Sequence, residues 1–426
     1  MRIYGILLTM RKPFKIFTRK DKKIVMENFV SLSTLQAINY LLPILILPYL
    51  FRALGPEKFG LIAFAQAFVQ YFMIITDYGF SLSATRQISL CRLKKDKVCR
   101  IFSSVMAVKF ILAIASLLLL LLVIYFVPKF KKDWLVYALS FGAVLGNTLF
   151  PVWFFQGREK MVYITSINAI GGLIYAVCIF IFINGPDDYL YVPLLTSVFA
   201  LLNGVIALFI AFRKFELKFI LNGYADIQQE FIKGWNIFVS VVAINAYTAT
   251  RIFAVGLLTN NTITGFYSIA ERIANFIQTF PLDSLSQAVY PRINKIFAKS
   301  RHKAEVLMHK IQDSVTLVYF IILAAVFSIS GLIVKIACGQ NYPEVILALR
   351  LLLISVFFVV ANAFRVQFLL VSGRPQLYSK LHIYAAIAGL PLIFILIGYF
   401  SYMGAAISTV IIEAGIVLFT IKLLKS

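Results

Sequence analysis

The sequence predicts an all-α polytopic membrane protein of about 12 transmembrane helices in two six-helix lobes, and three observations carry that prediction. Hydrophobic residues make up 61% of the 426 and charged ones only 14%, where a soluble domain keeps roughly a quarter of its residues charged. The apolar residues come in long runs: Ser103–Val127 and Leu381–Phe400 are each long enough to cross about 30 Å of hydrocarbon at about 1.5 Å per residue. Inside hydrocarbon each segment must satisfy its own backbone, so runs without strand-like alternation mean helices and not a barrel. The third observation is that the net charge of +23 is sorted by position along the chain. It therefore reads as a topology signal and not as a nucleic-acid surface.

Residues 1–27 form a basic extension that includes Arg11, Lys12, Lys15, Arg19, Lys20, Lys22 and Lys23. Its apolar run Ile6–Met10 is too short for the core of a signal peptide, and Met26 offers an alternative start. The first span, Asn28–Phe51, contains Pro43 and Pro48; each removes a helix hydrogen bond, so this span is expected to bend or unwind. Gln36 and Asn39 in it, and Gln66 and Gln70 in the second span, Phe59–Ser83, recur at helical spacing and mark a wet face on each. Ile101–Val127, Trp134–Gln156, Tyr163–Ile183 and Val192–Phe212 complete an N-lobe over residues 28–212. The longest loop, residues 213–234, is a cytoplasmic linker. The C-lobe, 235–426, holds Trp235–Leu258, Phe266–Tyr290, Ile311–Val334, Val345–Leu370, Leu381–Phe400 and Ala405–Ile421.

Orientation follows from lysine and arginine. With the N-terminus inside, 30 of them fall in inner segments, and six in outer loops: Arg52, Lys58, Lys129, Lys131, Lys132 and Lys335. Both termini are expected in the cytoplasm. A faint repeat supports the two halves: Gly60-x4-Ala65-Gln66 matches Gly265-x4-Ala270-Glu271, and Asn39/Asn245, Asp77/Asp283 and Arg86/Arg292 are each 206 residues apart. The matched spans run the same way, which implies a parallel repeat about an axis along the membrane normal.

No loop is large enough for a catalytic domain, and there is no phosphate-binding glycine loop, nucleophile elbow or His/Cys ligand cluster. Cys91, Cys99, Cys178 and Cys338 read as free thiols, and His302, His309 and His382 have no ligand neighbour. No metal, cofactor or nucleic-acid partner is expected. What remains is the set of polar residues inside the spans, where an isolated charge costs at least about 2.5–3.5 kcal/mol. Arg251 and Arg272, both about two turns inside the outer end, read as the wall of a water-filled cavity for an anionic substrate, because a guanidinium stays charged and grips phosphate with two parallel bonds. Arg365, Gln66 and Asn39 join them as substrate-binding candidates; internal pairing, such as Arg251 with Glu271, is the alternative reading, and Glu271 can neutralise only one of the two arginines. Asp77, Asp283, Glu271 and Glu413 are candidate proton or cation sites. Lys109, Asp313 and Arg350 lie near span ends, where snorkelling explains them.

The stretch Leu54-Gly55-Pro56-Glu57-Lys58-Phe59-Gly60-Leu61, continued by Ala65-Gln66-Ala67, Tyr71-Phe72, Asp77-Tyr78-Gly79-Phe80 and Ser83-Ala84-Thr85-Arg86, resembles the N-terminal signature of Wzx proteins. These are the polysaccharide flippases of the multidrug/oligosaccharidyl-lipid/polysaccharide (MOP) exporter superfamily. Phe155-Gln156-Gly157-Arg158-Glu159-Lys160-Met161 and Gln287-Ala288-Val289-Tyr290-Pro291-Arg292 resemble two further motifs of that family. The resemblance implies a V-shaped, MATE-like fold in a bacterial inner membrane. It implies movement of undecaprenyl-diphosphate-linked oligosaccharide (O-antigen or a similar glycan) to the periplasmic leaflet by alternating access, with a polysaccharide polymerase and a chain-length regulator as partners. It also adds Arg86 to the substrate-binding candidates. Two other readings stay open. A multidrug exporter would want acidic residues at mid-depth with few arginines. A membrane-embedded polymerase or glycosyltransferase would need a sizeable outer loop, where residues 184–191 offer only Asp187 and Asp188.

Overall fold

The computed structural model describes residues 19–220 and 223–425, so most of the basic extension lies outside the described residues. The first half consists of α1 (Arg19–Asp77), α2 (Phe80–Leu90), α3 (Lys95–Phe126), α4 (Pro128–Lys132), α5 (Trp134–Leu149), α6 (Val152–Gly157), α7 (Met161–Phe182) and α8 (Tyr191–Lys214). The second consists of α9 (Tyr224–Thr248), α10 (Thr250–Leu258), α11 (Asn261–Phe297), α12 (Arg301–Ser328), α13 (Ser330–Cys338), α14 (Pro343–Val371), α15 (Pro375–Phe400) and α16 (Tyr402–Lys425). Each expected span coincides with a helix or with a pair of helices meeting at a break.

By length and composition, nine helical stretches among the described residues are able to cross a membrane. Trp235–Leu258 and Phe266–Tyr290, which carry Arg251, Glu271 and Arg272, are helical but are not among those nine. Helix α3 turns Phe110, Ile111, Ile114, Leu118, Leu121 and Leu122 outward. In water such a face would drive aggregation; against acyl chains it is the stable arrangement. The chain is a multi-pass membrane protein.

The breaks have local causes. Helix α1 runs through both Pro43 and Pro48 and departs from helical geometry only at Gly55 (φ 70°, ψ 169°). That φ is strained for any residue with a side chain, and Pro56 restarts the helix at a position where an N–H has no partner to lose. Gly55 lies in the connection, residues 52–58, between the first and second expected spans, and Pro43 and Pro48 keep helical φ/ψ. The fourth expected span is cut at Phe150–Pro151 into α5 and α6. Pro151 has no N–H to offer the Asn147 carbonyl one turn back, and Lys109 of α3 donates to that carbonyl instead at 3.1 Å. Lys109 is 1% exposed, so it does not snorkel to a surface as the sequence suggested; it fills the vacancy that a proline leaves.

The halves meet where α11 lies along α1. A Cβ on Gly60 would sit 1.8 Å from the Asn261 carbonyl oxygen and 2.5 Å from the Gly265 nitrogen. A Cβ on Gly265 would sit 2.1 Å from the Pro56 carbonyl oxygen. Only glycine lets the two backbones touch, and these are the two glycines matched in the repeat. Two cations of the first half close the same end. Arg52 donates to the carbonyls of Ile336 and Ala337, capping the C-terminus of α13. Lys129 donates to those of Gly256, Leu257 and Thr259 at the end of α10. Each supplies donors to carbonyls that a helix end leaves unpaired, at its negative pole. In the turn Pro186–Leu190, the Asp188 carboxylate accepts the amides of Asn184 and Gly185 at 2.9 and 3.1 Å, so it serves its own loop.

Candidate substrate cavity

Between the halves, just inside the closed end, lies a cavity of about 810 Å³. Helices α1, α5 and α8 of the first half and α9, α10, α11, α14, α15 and α16 of the second contribute to its wall. The polar residues reach it in stripes one helical turn apart: Gln66 and Gln70 on α1, Tyr247 and Arg251 across the α9–α10 break, Glu271, Asn275 and Gln278 on α11, and Thr409 and Glu413 on α16. Of the residues expected to bind substrate or ions, Arg251, Arg272, Gln66, Glu271 and Glu413 are gathered here.

The two arginines have different surroundings. Arg251 Nε lies 2.7 Å from Glu271 Oε1, with side chains 12% and 5% exposed, and its Nη1 reaches Thr409 Oγ1 at 3.5 Å. It is a closed ion pair. Arg272 donates from Nη2 to Gln66 Oε1 at 2.6 Å and lies 5.9 Å from the centre of the Phe59 ring. Among the described residues no carboxylate lies within ion-pair distance of it, so its charge is met by a neutral amide and a ring face. Gln66 and Arg272 come from opposite halves, and Arg272 follows Glu271, the residue matched to Gln66 in the repeat. Tyr247 and His382 close the second-half wall, with the hydroxyl 3.1 Å from Nδ1.

The other candidates lie elsewhere. Arg86 is exposed on α2, outside the cavity. Arg365 bonds the Ala361 carbonyl on its own helix at 2.7 Å and lies 4.0 Å from Asp313, whose side chain is 74% exposed. Asp77 accepts a hydrogen bond from Ser81 at 3.0 Å. Arg350 is held by Ser330 Oγ at 2.9 Å. The side chains of Asn39 and Asp283 lie outside the described residues. The reading of the sequence missed Thr409, Asn275, Gln278 and Tyr247, although each stands a turn or two from a candidate it did name, on the same helical face.

Residues 25–297 match the family described as "Polysaccharide biosynthesis protein". An Escherichia coli (strain K12) protein provisionally named an O-antigen transporter is 30% identical over 92% of this chain and 95% of its own length. A Shigella dysenteriae protein of the same name is 25% identical over 94% of this chain and 100% of its own. Among solved structures, the lipid II flippase MurJ in its inward closed conformation superposes with a TM-score of 0.74 at 13% identity, covering 93% of this chain and 88% of that one. A multidrug resistance MATE transporter of the MOP superfamily, inward-facing, gives 0.71 at 13% identity over 92% and 94%. The fold is therefore the MATE- and MurJ-like fold that the resemblance implied. The chain belongs to the polysaccharide biosynthesis protein family and is a membrane transporter of that family.

Proposed function

We propose that the chain moves an undecaprenyl-diphosphate-linked oligosaccharide, the repeat unit of an O-antigen or a similar glycan, from the cytoplasmic to the periplasmic leaflet of the inner membrane by alternating access. The observation that carries this reading is Arg272. A charge in hydrocarbon costs at least about 2.5–3.5 kcal/mol, and a single hydrogen bond to a charged group returns about 1.5–3. Arg272, with one amide partner and a cavity beside it, is left under-compensated. An arriving diphosphate supplies the missing charge with matched geometry. Arg251 already has its charge met by the Glu271 carboxylate. The name of the Escherichia coli relative agrees with an anionic, glycan-bearing cargo.

In this reading about twelve helices cross the bilayer as two lobes, both termini are cytoplasmic, and the end clasped by Arg52 and Lys129 is periplasmic and shut. The TM-score is 0.71 with an inward-facing MATE structure and 0.62 with an outward-facing one, which agrees with a cavity reached from inside. The test is a strain deleted for this chain. It is expected to accumulate lipid-linked repeat units, detected by mass spectrometry of its lipid extract, and re-expression is expected to clear them. Drug resistance on overexpression with no change in lipid-linked glycan would favour a multidrug exporter instead.

A further inference from the structure

At the end of the first half opposite the Arg52 clasp, three chain junctions converge: the α2–α3 turn, the end of α6 and the end of α8. Between them is a concavity of about 390 Å³ lined by four cations, Arg92, Lys95, Arg158 and Lys214, over a floor that includes Phe154 and Phe215. Two of the cations are neutralised. Arg92 pairs with Glu159 at 2.6 Å, and Lys95 pairs with Glu216, whose carboxyl that hydrogen bond holds below its ordinary range. Both glutamates have positive φ, 56° and 50°, in a chain with two other such non-glycine residues among those described. Backbone strain of this kind costs about 1–3 kcal/mol per residue and persists where the surroundings impose it.

Arg158 and Lys214 have no carboxylate partner among the described residues. Arg158 donates from Nη1 to the Arg92 carbonyl, and each cation stands over an aromatic ring, Arg158 at 5.5 Å from the centre of Phe215 and Lys214 at 5.0 Å from that of Tyr163. The two rings are 5.9 Å apart, so the two unneutralised charges flank a single aromatic wedge. Above the site, α8 exposes Leu202, Val205, Ile206 and Phe209 as an apolar stripe that ends at Arg213, 5.8 Å from the centre of the Phe209 ring and one residue before Lys214, and Leu93 at the rim is 97% exposed.

We propose that this concavity is a binding site for the phosphate headgroup of a membrane lipid, separate from the transport cavity. Arg158 and Lys214 hold the phosphate oxygens, and the acyl or prenyl chain runs along the exposed stripe of α8. The chemistry needed is a lipid-borne phosphate with net negative charge. A bulk anionic phospholipid and a polyprenyl diphosphate both present it, at the height where basic residues meet headgroups.

The purified full-length chain, titrated by native mass spectrometry with phosphatidylglycerol, phosphatidylethanolamine, undecaprenyl diphosphate and inorganic pyrophosphate, tests this. Phosphatidylglycerol or undecaprenyl diphosphate is expected to bind, and Arg158→Gln with Lys214→Gln to weaken it by roughly thirtyfold. Whichever of the two lipids responds identifies the source. Lys214→Arg, which keeps the charge, is expected to bind within about threefold of the parent. Undecaprenyl diphosphate lost only in Arg272→Gln reports on the transport cavity and is scored apart, so the two proposals fail separately. Equal binding of phosphatidylethanolamine, displacement by pyrophosphate at matched concentration, unchanged binding in the double variant, or loss in Lys214→Arg as deep as in the glutamine pair would each overturn the inference.

Discussion

Two half-buried arginines at one depth, Arg251 and Arg272, separate cleanly once their partners are known. Glu271→Gln leaves Arg251 buried without its counter-charge, and stripping one partner from a buried pair costs about 3–5 kcal/mol. That variant is expected to lose much of its thermal stability in detergent. Arg272→Gln removes a charge that has no carboxylate to abandon; it is expected to melt near the parent temperature while losing transport. Equal stability losses in the two would contradict the assignment. The sequence already placed both arginines at one depth and noted that Glu271 serves only one of them. The alternative it offered for Arg251, an internal pair with Glu271, is the arrangement found, and it depends on the rotation of α10 against α11. Lys109 was misread for a related reason. Its partner, the Asn147 carbonyl, is vacant only because of Pro151 and lies 38 residues away on another helix.

At the scale of elements, breaks in helices are set by what fills the backbone positions they free. Gln312 of α12 shows this in the buried interior: its amide donates to the Val360 carbonyl at 2.7 Å and accepts from the Phe364 N–H at 3.0 Å, the two ends of one helical hydrogen bond in α14. A side chain inserted into the ladder in this way is a recognised cause of bending. Gln312→Leu lets those two groups meet directly and is expected to cost under about 1.5 kcal/mol in unfolding measurements. Gln312→Glu sets an acceptor against the Val360 carbonyl and is expected to cost several times more. Similar losses in the two variants would show that side-chain volume, and not the bridge, matters at this position. The helices themselves were legible from runs of apolar residues. The break at Gly55 falls between the first two expected spans, where a positive φ interrupts the helix, whereas a membrane helix tolerates Pro43 and Pro48 when neighbours satisfy the freed carbonyls.

For the whole molecule, the account needs a closed end that opens. The clasp is built from the Gly60–Gly265 approach and the two cations that cap helices of the opposite half. At about 1.5–3 kcal/mol for each charged contact, replacing Arg52 and Lys129 with alanine is expected to raise the population open at that end by tenfold or more. A cysteine at Gln70 on the cavity wall, in a chain freed of its native cysteines, reports the shift through faster labelling by a membrane-impermeant reagent from outside. Unchanged labelling would show that the clasp is not what holds the end shut. Of the residues matched in the repeat, Gly60 and Gly265 meet across the seam of the two halves, and Gln66 there meets Arg272, the neighbour of its match Glu271. The most direct test of the central claim is flipping of an undecaprenyl-diphosphate-linked oligosaccharide in vesicles reconstituted with the purified chain. The parent is expected to equilibrate the lipid between leaflets, and Arg272→Gln to slow it by roughly tenfold to a hundredfold. Full-rate flipping by a well-folded Arg272→Gln would contradict the account.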